Sequence, residues 1–193
     1  MLKDEIDEIN NNIQTQIIMS YSFYKGMDSR KNFRYKSIVE TNLYVMTIQS
    51  DLVNAVVGLT NSNTEIQMKF YARALSVILY EYLKDLSSIL GKELIDNLKA
   101  IGFLDPIEGI KKLNKEYSNL RKARSKELRT IRHKTFAHKS KNRIELIDTI
   151  FNVDVKSIEN LASDIILLNG KLTRLSTKIF KYIGDYHREN GEL

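Results

Sequence analysis

Apolar residues recur every three or four positions along almost the whole chain, the spacing that puts them on one face of a helix. Ile6, Ile9, Ile13 and Ile17 predict a first helix from Lys3 to about Lys25. Gly26 to Tyr35 is polar and basic and reads as a loop. The next segment, Ser37 to Leu59, is apolar on most sides through Leu43, Val45, Met46, Ile48, Leu52, Val53, Val56 and Val57, so it predicts a helix central to a bundle. Thr60 to Asn63 is a turn, and Ser62-Asn63-Thr64-Glu65 has the spacing of a capping box that starts a third helix reaching about Leu90. The stripe expected there is Ile66, Phe70, Val77, Tyr80 and Lys84, with Arg73 inside it and expected to pair with a bundle carboxylate such as Glu81.

A shorter helix follows Gly91 and ends near Gly102. Asp105-Pro106-Ile107-Glu108 predicts another start, with Asp105 as cap and Pro106 in the first turn. From it a helix of some thirty residues presents Ile110, Leu113, Tyr117, Leu120, Leu128 and Ile131 as a narrow stripe, the rest being basic. After a loop at Ser140 to Arg143, Ile144 to Phe151 reads as a short helix or turn. Asp154 then caps a last helix whose Ile158, Leu161, Ile165, Leu168, Leu172, Leu175, Ile179, Tyr182 and Tyr186 form a seam for packing within the bundle or between protomers. The expectation is an all-α helical bundle of four to six helices with long antiparallel helices, in a single domain spanning residues 1–193.

Composition agrees with that pattern and narrows the chemistry. Eight Gly and one Pro in 193 residues leave long uninterrupted segments, and with no Cys neither disulfides nor cysteine-ligated metals arise. The opening Met1-Leu2-Lys3-Asp4-Glu5 lacks the apolar core of a signal peptide, and fully apolar runs stop at about four residues, far below the ~20 that span a bilayer. A soluble, cytoplasmic protein without a membrane partner is expected. The net charge of +6 is unevenly spread. Of the 30 Lys and Arg, 13 lie between Lys111 and Arg143 beside only Glu116 and Glu127, whereas the other 17 are outnumbered by 22 acidic residues. A mildly acidic body with one strongly basic segment suggests a polyanion-binding face.

Several chemistries lack their residues. There is no glycine-rich phosphate loop, no Walker-type lysine element and no serine in a glycine elbow. His133 and His138 are five apart, so on a helix they point about 140° away from each other, unlike the spacings of three or four that suit a shared metal. No metal and no cofactor are expected. What remains is Arg132-His133-Lys134-Thr135-Phe136-Ala137-His138 at the end of the basic helix. Histidine transfers protons near neutral pH and arginine offers a planar cation to a phosphate gaining charge. RNA carries its own nucleophile, the 2′-hydroxyl, so this pair suffices for RNA cleavage. Arg132 and His138 are six apart, about 120° around a straight helix, so they meet only where the helix ends or where two protomers combine their pairs.

This segment resembles the motif of the HEPN superfamily, an Arg, four to six intervening residues and a His, with a polar residue after the Arg, here His133. Leu128-Arg129-Thr130-Ile131-Arg132-His133-Lys134 followed by Phe136-Ala137-His138-Lys139 looks most like the abortive-infection branch. The resemblance implies a HEPN-like bundle that dimerises and a metal-independent endoribonuclease of a defence or toxin–antitoxin system. It implies Arg132, His138 and His133 as the catalytic set, and an antitoxin or nucleotidyltransferase as a further partner. Nucleotidyltransferase-paired members carry a modifiable tyrosine two residues after the His; here that position is Ser140.

RNA is then the expected ligand, with Lys122, Arg124, Lys126, Arg129, Lys134 and Lys139 attracting its phosphates. Phe136 suits packing or base stacking. The aromatic cluster Tyr21, Phe23, Tyr24, Phe33 and Tyr35, interleaved with Lys25, Arg30, Lys31 and Arg34, reads as a packed helix end beside a basic loop. Two other functions fit the same residues: a non-catalytic RNA-binding module, and a helical protein-interaction module whose basic helix docks an acidic partner.

Overall fold

The computed structural model describes residues 3–29, 34–137 and 142–189, which are helical almost throughout. Seven α-helices occur among them: α1 (Lys3–Ser29), α2 (Lys36–Thr60), α3 (Glu65–Ile89), α4 (Lys92–Ala100), α5 (Ile107–Arg132), α6 (Arg143–Phe151) and α7 (Val155–Glu189), with a π-helical turn over His133–Ala137. The protein is all-α, with more helices than the four to six expected. The segment read as a short helix or turn is a helix of its own, because the Asn142 side chain accepts from the backbone N–H groups of Ile144 and Glu145 and so caps it.

Local chemistry sets most boundaries. α1 runs past Gly26 rather than ending in a loop there, and Met27 in its last turn is buried in the core. The capping box before α3 sits two residues later than expected. Thr64 Oγ1 accepts from the Gln67 N–H at 3.2 Å, while Gln67 Oε1 reaches back to the Asn63 N–H at 2.9 Å. Ser62 instead returns its hydroxyl to the Gly58 carbonyl at 2.8 Å. α4 closes with Gly102 at φ +78°, where the Gly102 N–H meets the Lys99 carbonyl and the Phe103 N–H meets that of Leu98. That left-handed residue favours glycine. Asp105 does not cap α5; Pro106 holds the capping position in a right-handed helical conformation, and no side chain caps it.

α2 is the central helix, packed against α1, α3, α4 and α7. By length and a mean hydropathy of 1.2 it would also pass for a membrane span. Here its Val39, Val45, Met46 and Leu52 are almost wholly enclosed by protein. α3 crosses it closely at Gly58, where an added Cβ would stand 2.3 Å from the Tyr71 ring. The core stripe of α3 is Ala72, Leu75, Leu79, Tyr82, Leu83 and Leu86, not the expected one: Ile66, Phe70 and Lys84 are exposed, and Tyr80 is half-buried against the edge of the core. The seam of α7 is used inside the chain, with Ile158, Leu161, Ile165, Leu168, Leu172 and Ile179 all buried. The remaining seam residues, Leu175, Tyr182 and Tyr186, are half-buried.

One buried polar centre fixes the register of four helices. Asn169 of α7 is fully enclosed, and its Oδ1 accepts from Tyr82 of α3 at 2.7 Å and from Tyr117 of α5 at 2.8 Å. Its Nδ2 donates to Gln49 Oε1 of α2 at 2.8 Å. Sliding any of these helices by one turn would strand a hydroxyl or amide in the core, a penalty of about 1–3 kcal/mol per group.

Candidate nucleic-acid interface

α5 buries Ile110, Leu113, Tyr117, Leu128 and Ile131, which leaves its cations on the remaining faces. They do not form one continuous basic surface. On the side facing α3, a groove of about 580 Å³ is lined by Lys84, Arg121, Lys126 and Arg129, with Tyr80 in its wall and Leu83 and Leu128 beneath. No carboxylate lines it. Lys84 is its one cation paired with a carboxylate among the described residues, through Glu81 at 3.7 Å on the groove's edge. Arg121 leans across from α5 to α3, with Nη1 3.4 Å from the Lys84 carbonyl and 3.3 Å from Ser87 Oγ. Four cations brought together with so little compensation repel one another, and a bound polyanion removes that repulsion.

On the other side of α5, a hollow of about 790 Å³ between α5, α6 and the start of α7 holds Glu127, Glu145, Asp148 and Asp154 beside Lys126 and Lys134. One of its two lining cations is paired with a carboxylate. Lys134 Nζ lies 2.7 Å from Glu145 Oε1. Arg124 Nη2 lies 3.0 Å from Glu127 Oε2 and also donates to Ser157, so Arg124 straps α5 to α7. Lys126 stands on the crest between groove and hollow. Lys122 is exposed and lines neither.

Where α5 ends, the winding loosens into the π turn. Thr135 is buried there at 2% exposure and donates Oγ1 to the Ile131 carbonyl at 2.6 Å. A π turn is rare and often marks a functional position within a helix. Arg132, half-buried just before it, places Nη2 2.6 Å from Glu81 Oε1 and its guanidinium carbon 5.4 Å from the centre of the Tyr80 ring. Its Nε is buried without a hydrogen-bond partner among the described residues. His133 is half-buried beside it. His138, Lys139 and the side chain of Phe136 lie outside the described residues, as do Arg30, Lys31 and Phe33 of the aromatic–basic cluster.

Of the residues singled out in the sequence, the structure brings Lys126 and Arg129 together in the groove and sets Arg132 beyond its Tyr80 wall. Glu81, expected as partner of Arg73, belongs to Arg132. Arg73 instead bonds the Lys69 carbonyl through Nε at 3.3 Å and lies 5.9 Å from the Phe70 ring, where burial lowers its pKa. Sequence reasoning missed Tyr80, Lys84 and Arg121. Tyr80 and Lys84 are four apart on one helix face, so the signal was there, but it was assigned to the core. Among the described residues no group of three or more His, Cys, Asp and Glu is placed to hold a metal ion. The chain matches no family model, no curated protein and no solved structure.

Proposed function

We propose that this protein binds RNA along α5 and cleaves it without a metal, as a HEPN-type endoribonuclease of the defence or toxin–antitoxin kind acting in the cytoplasm. The observation that carries this reading is the carboxylate-free cationic groove beside Arg132, at the end of the helix that bears the Arg132–His138 motif. In the reaction, His138 is the proton-transfer group for attack of the 2′-hydroxyl on the neighbouring phosphorus. The P–O5′ bond breaks, leaving a cyclic 2′,3′-phosphate and a 5′-hydroxyl. Arg132 balances the charge that grows on the phosphate oxygens, and His133 orients the strand. A homodimer would bring two such pairs together.

The deciding experiment is incubation of purified protein with RNA in excess chelator, beside His138→Ala. Cleavage by the wild type and its loss by about 10²–10⁴-fold in the variant, with binding retained, support the mechanism. Absence of cleavage, or equal cleavage by both, overturns it. One observation favours a non-catalytic RNA-binding module instead: Arg132 is already committed to Glu81. In that case RNA binds with strong salt dependence and is never turned over.

A further inference from the structure

The α3–α5 groove has a shape and a direction as well as a charge. Two packed helices bound it, so its cations line a channel and not a convex ridge. An A-form duplex is a broad rigid cylinder whose phosphates would ride on the helix crests, whereas one strand can lie along the floor. Leu83 and Leu128 beneath are buried core residues that fix the spacing of the two helices and so of the cations above them. Tyr80 connects the channel to the motif, because its ring is part of the groove wall and also carries the Arg132 guanidinium. A strand lying in the channel therefore runs beside the ring against which Arg132 rests.

We infer that the groove between α3 and α5 is a single-stranded RNA channel in which Lys84 and Arg121, together with Lys126 and Arg129, hold successive phosphates and deliver the strand to Arg132. This rests on the RNA reading above and adds to it a path, a strand preference and two residues that the basic helix alone does not supply. Lys84 comes from α3, so the channel exists only when both helices are packed.

The test is fluorescence anisotropy with a labelled oligouridylate of about a dozen nucleotides, titrated over a range of salt in the His138→Ala background so that the probe stays intact. Lys84→Gln with Arg121→Gln removes two channel cations. Its affinity is expected to fall by roughly tenfold, and the slope of log affinity against log salt to shrink by about 1.4, since each phosphate contact on a single strand contributes ~0.7. Lys92→Gln with Lys178→Gln removes the same charge from exposed positions on α4 and α7, and should shift affinity by less than about twofold. If Arg121→Gln impairs folding, as seen by thermal melting, Lys84→Gln with Lys126→Gln gives the same readout. The inference falls if the channel variants keep the wild-type slope, if the control pair loses as much, if a duplex of equal length binds as tightly, or if ATP competes as well as the oligonucleotide. In each of those cases chelator-resistant cleavage can still stand. A wild-type protein that neither binds nor cleaves RNA removes the RNA reading itself.

Discussion

Arg132 at the end of α5 and Glu81 on α3 form an ion pair of 2.6 Å between Nη2 and Oε1, at the point where the cationic groove meets the π turn. The pair ties the two walls of the groove together. It also places a carboxylate beside the cation that a scissile phosphate would need. Under the proposed function, RNA and Glu81 would compete for one guanidinium.

Glu81→Gln should therefore move two measurements in opposite directions. Both partners are partly solvated, so stability in urea is expected to fall by only about 1 kcal/mol. RNA affinity at low salt should rise about two- to fivefold, because a repelling charge is gone and Arg132 is released. A fall in RNA affinity would show that Glu81 positions Arg132 rather than restraining it.

Asn169→Ala is expected to destabilise the protein by about 3 kcal/mol in urea denaturation, since it strands the hydroxyls of Tyr82 and Tyr117 in the core and removes the donor to Gln49. Tyr82→Phe should lose only about 1 kcal/mol, because Tyr117 still satisfies Asn169. Equal losses in the two variants would mean that Asn169 is not the shared acceptor.

Alkaline pH should destabilise the protein early. Burial, aided by Asp85, pushes the Tyr44 phenol up to about 12, and burial raises Tyr82 and Tyr117 as well. A raised folded pKa means that the native state keeps its proton after the unfolded chain has lost it. The stabilisation from these groups is complete below about pH 10; that of Tyr44 disappears as pH climbs through about 12, and that of Tyr82 and Tyr117 is lost further up. Absorbance at the phenolate band should show Tyr44, Tyr82 and Tyr117 ionising late or only on unfolding. Tyr44→Phe should flatten the fall of the urea midpoint between about pH 10 and 12.

Gly58→Ala tests the crossing of α2 and α3. Alanine gains up to about 1 kcal/mol in helix propensity, but its methyl group would stand 2.3 Å from the Tyr71 ring. The net effect is expected to be a loss of about 1–2 kcal/mol in thermal or urea unfolding. Gly58→Ala with Tyr71→Ala should recover part of it.

The helices were largely legible because three-and-four spacing of Leu and Ile survives any arrangement of the bundle, as in α7, where Ile158 to Ile179 fall on one buried face. What a helix faces is another matter. α3 has apolar residues on two sides, and the aromatic side, Phe70 and Tyr80, stood out more than the Ala72–Leu75–Leu79 stripe that is the true core. Its outward face became groove wall, so Lys84 went unrecognised as a site residue. The charge excess of α5 was plain in the sequence, but its division was not. Glu145, Asp148 and Asp154, which make one flank acidic, come from chain segments that only tertiary structure places there. The pairing of Glu81 with Arg132 rather than Arg73 is of the same kind, a choice between helices that no local spacing encodes.

The Asn169 centre has a consequence for how the chain is made. Tyr82 and Tyr117 are synthesised well before Asn169, which arrives on α7. A chain emerging N-terminus first carries its basic helix into the cell before the acceptor that locks that helix exists. During that interval the most electropositive part of the protein is tethered beside the ribosome's own RNA, with two phenolic hydroxyls still facing water. Docking of α7 is thus the step that completes the polar centre shared by α2, α3, α5 and α7.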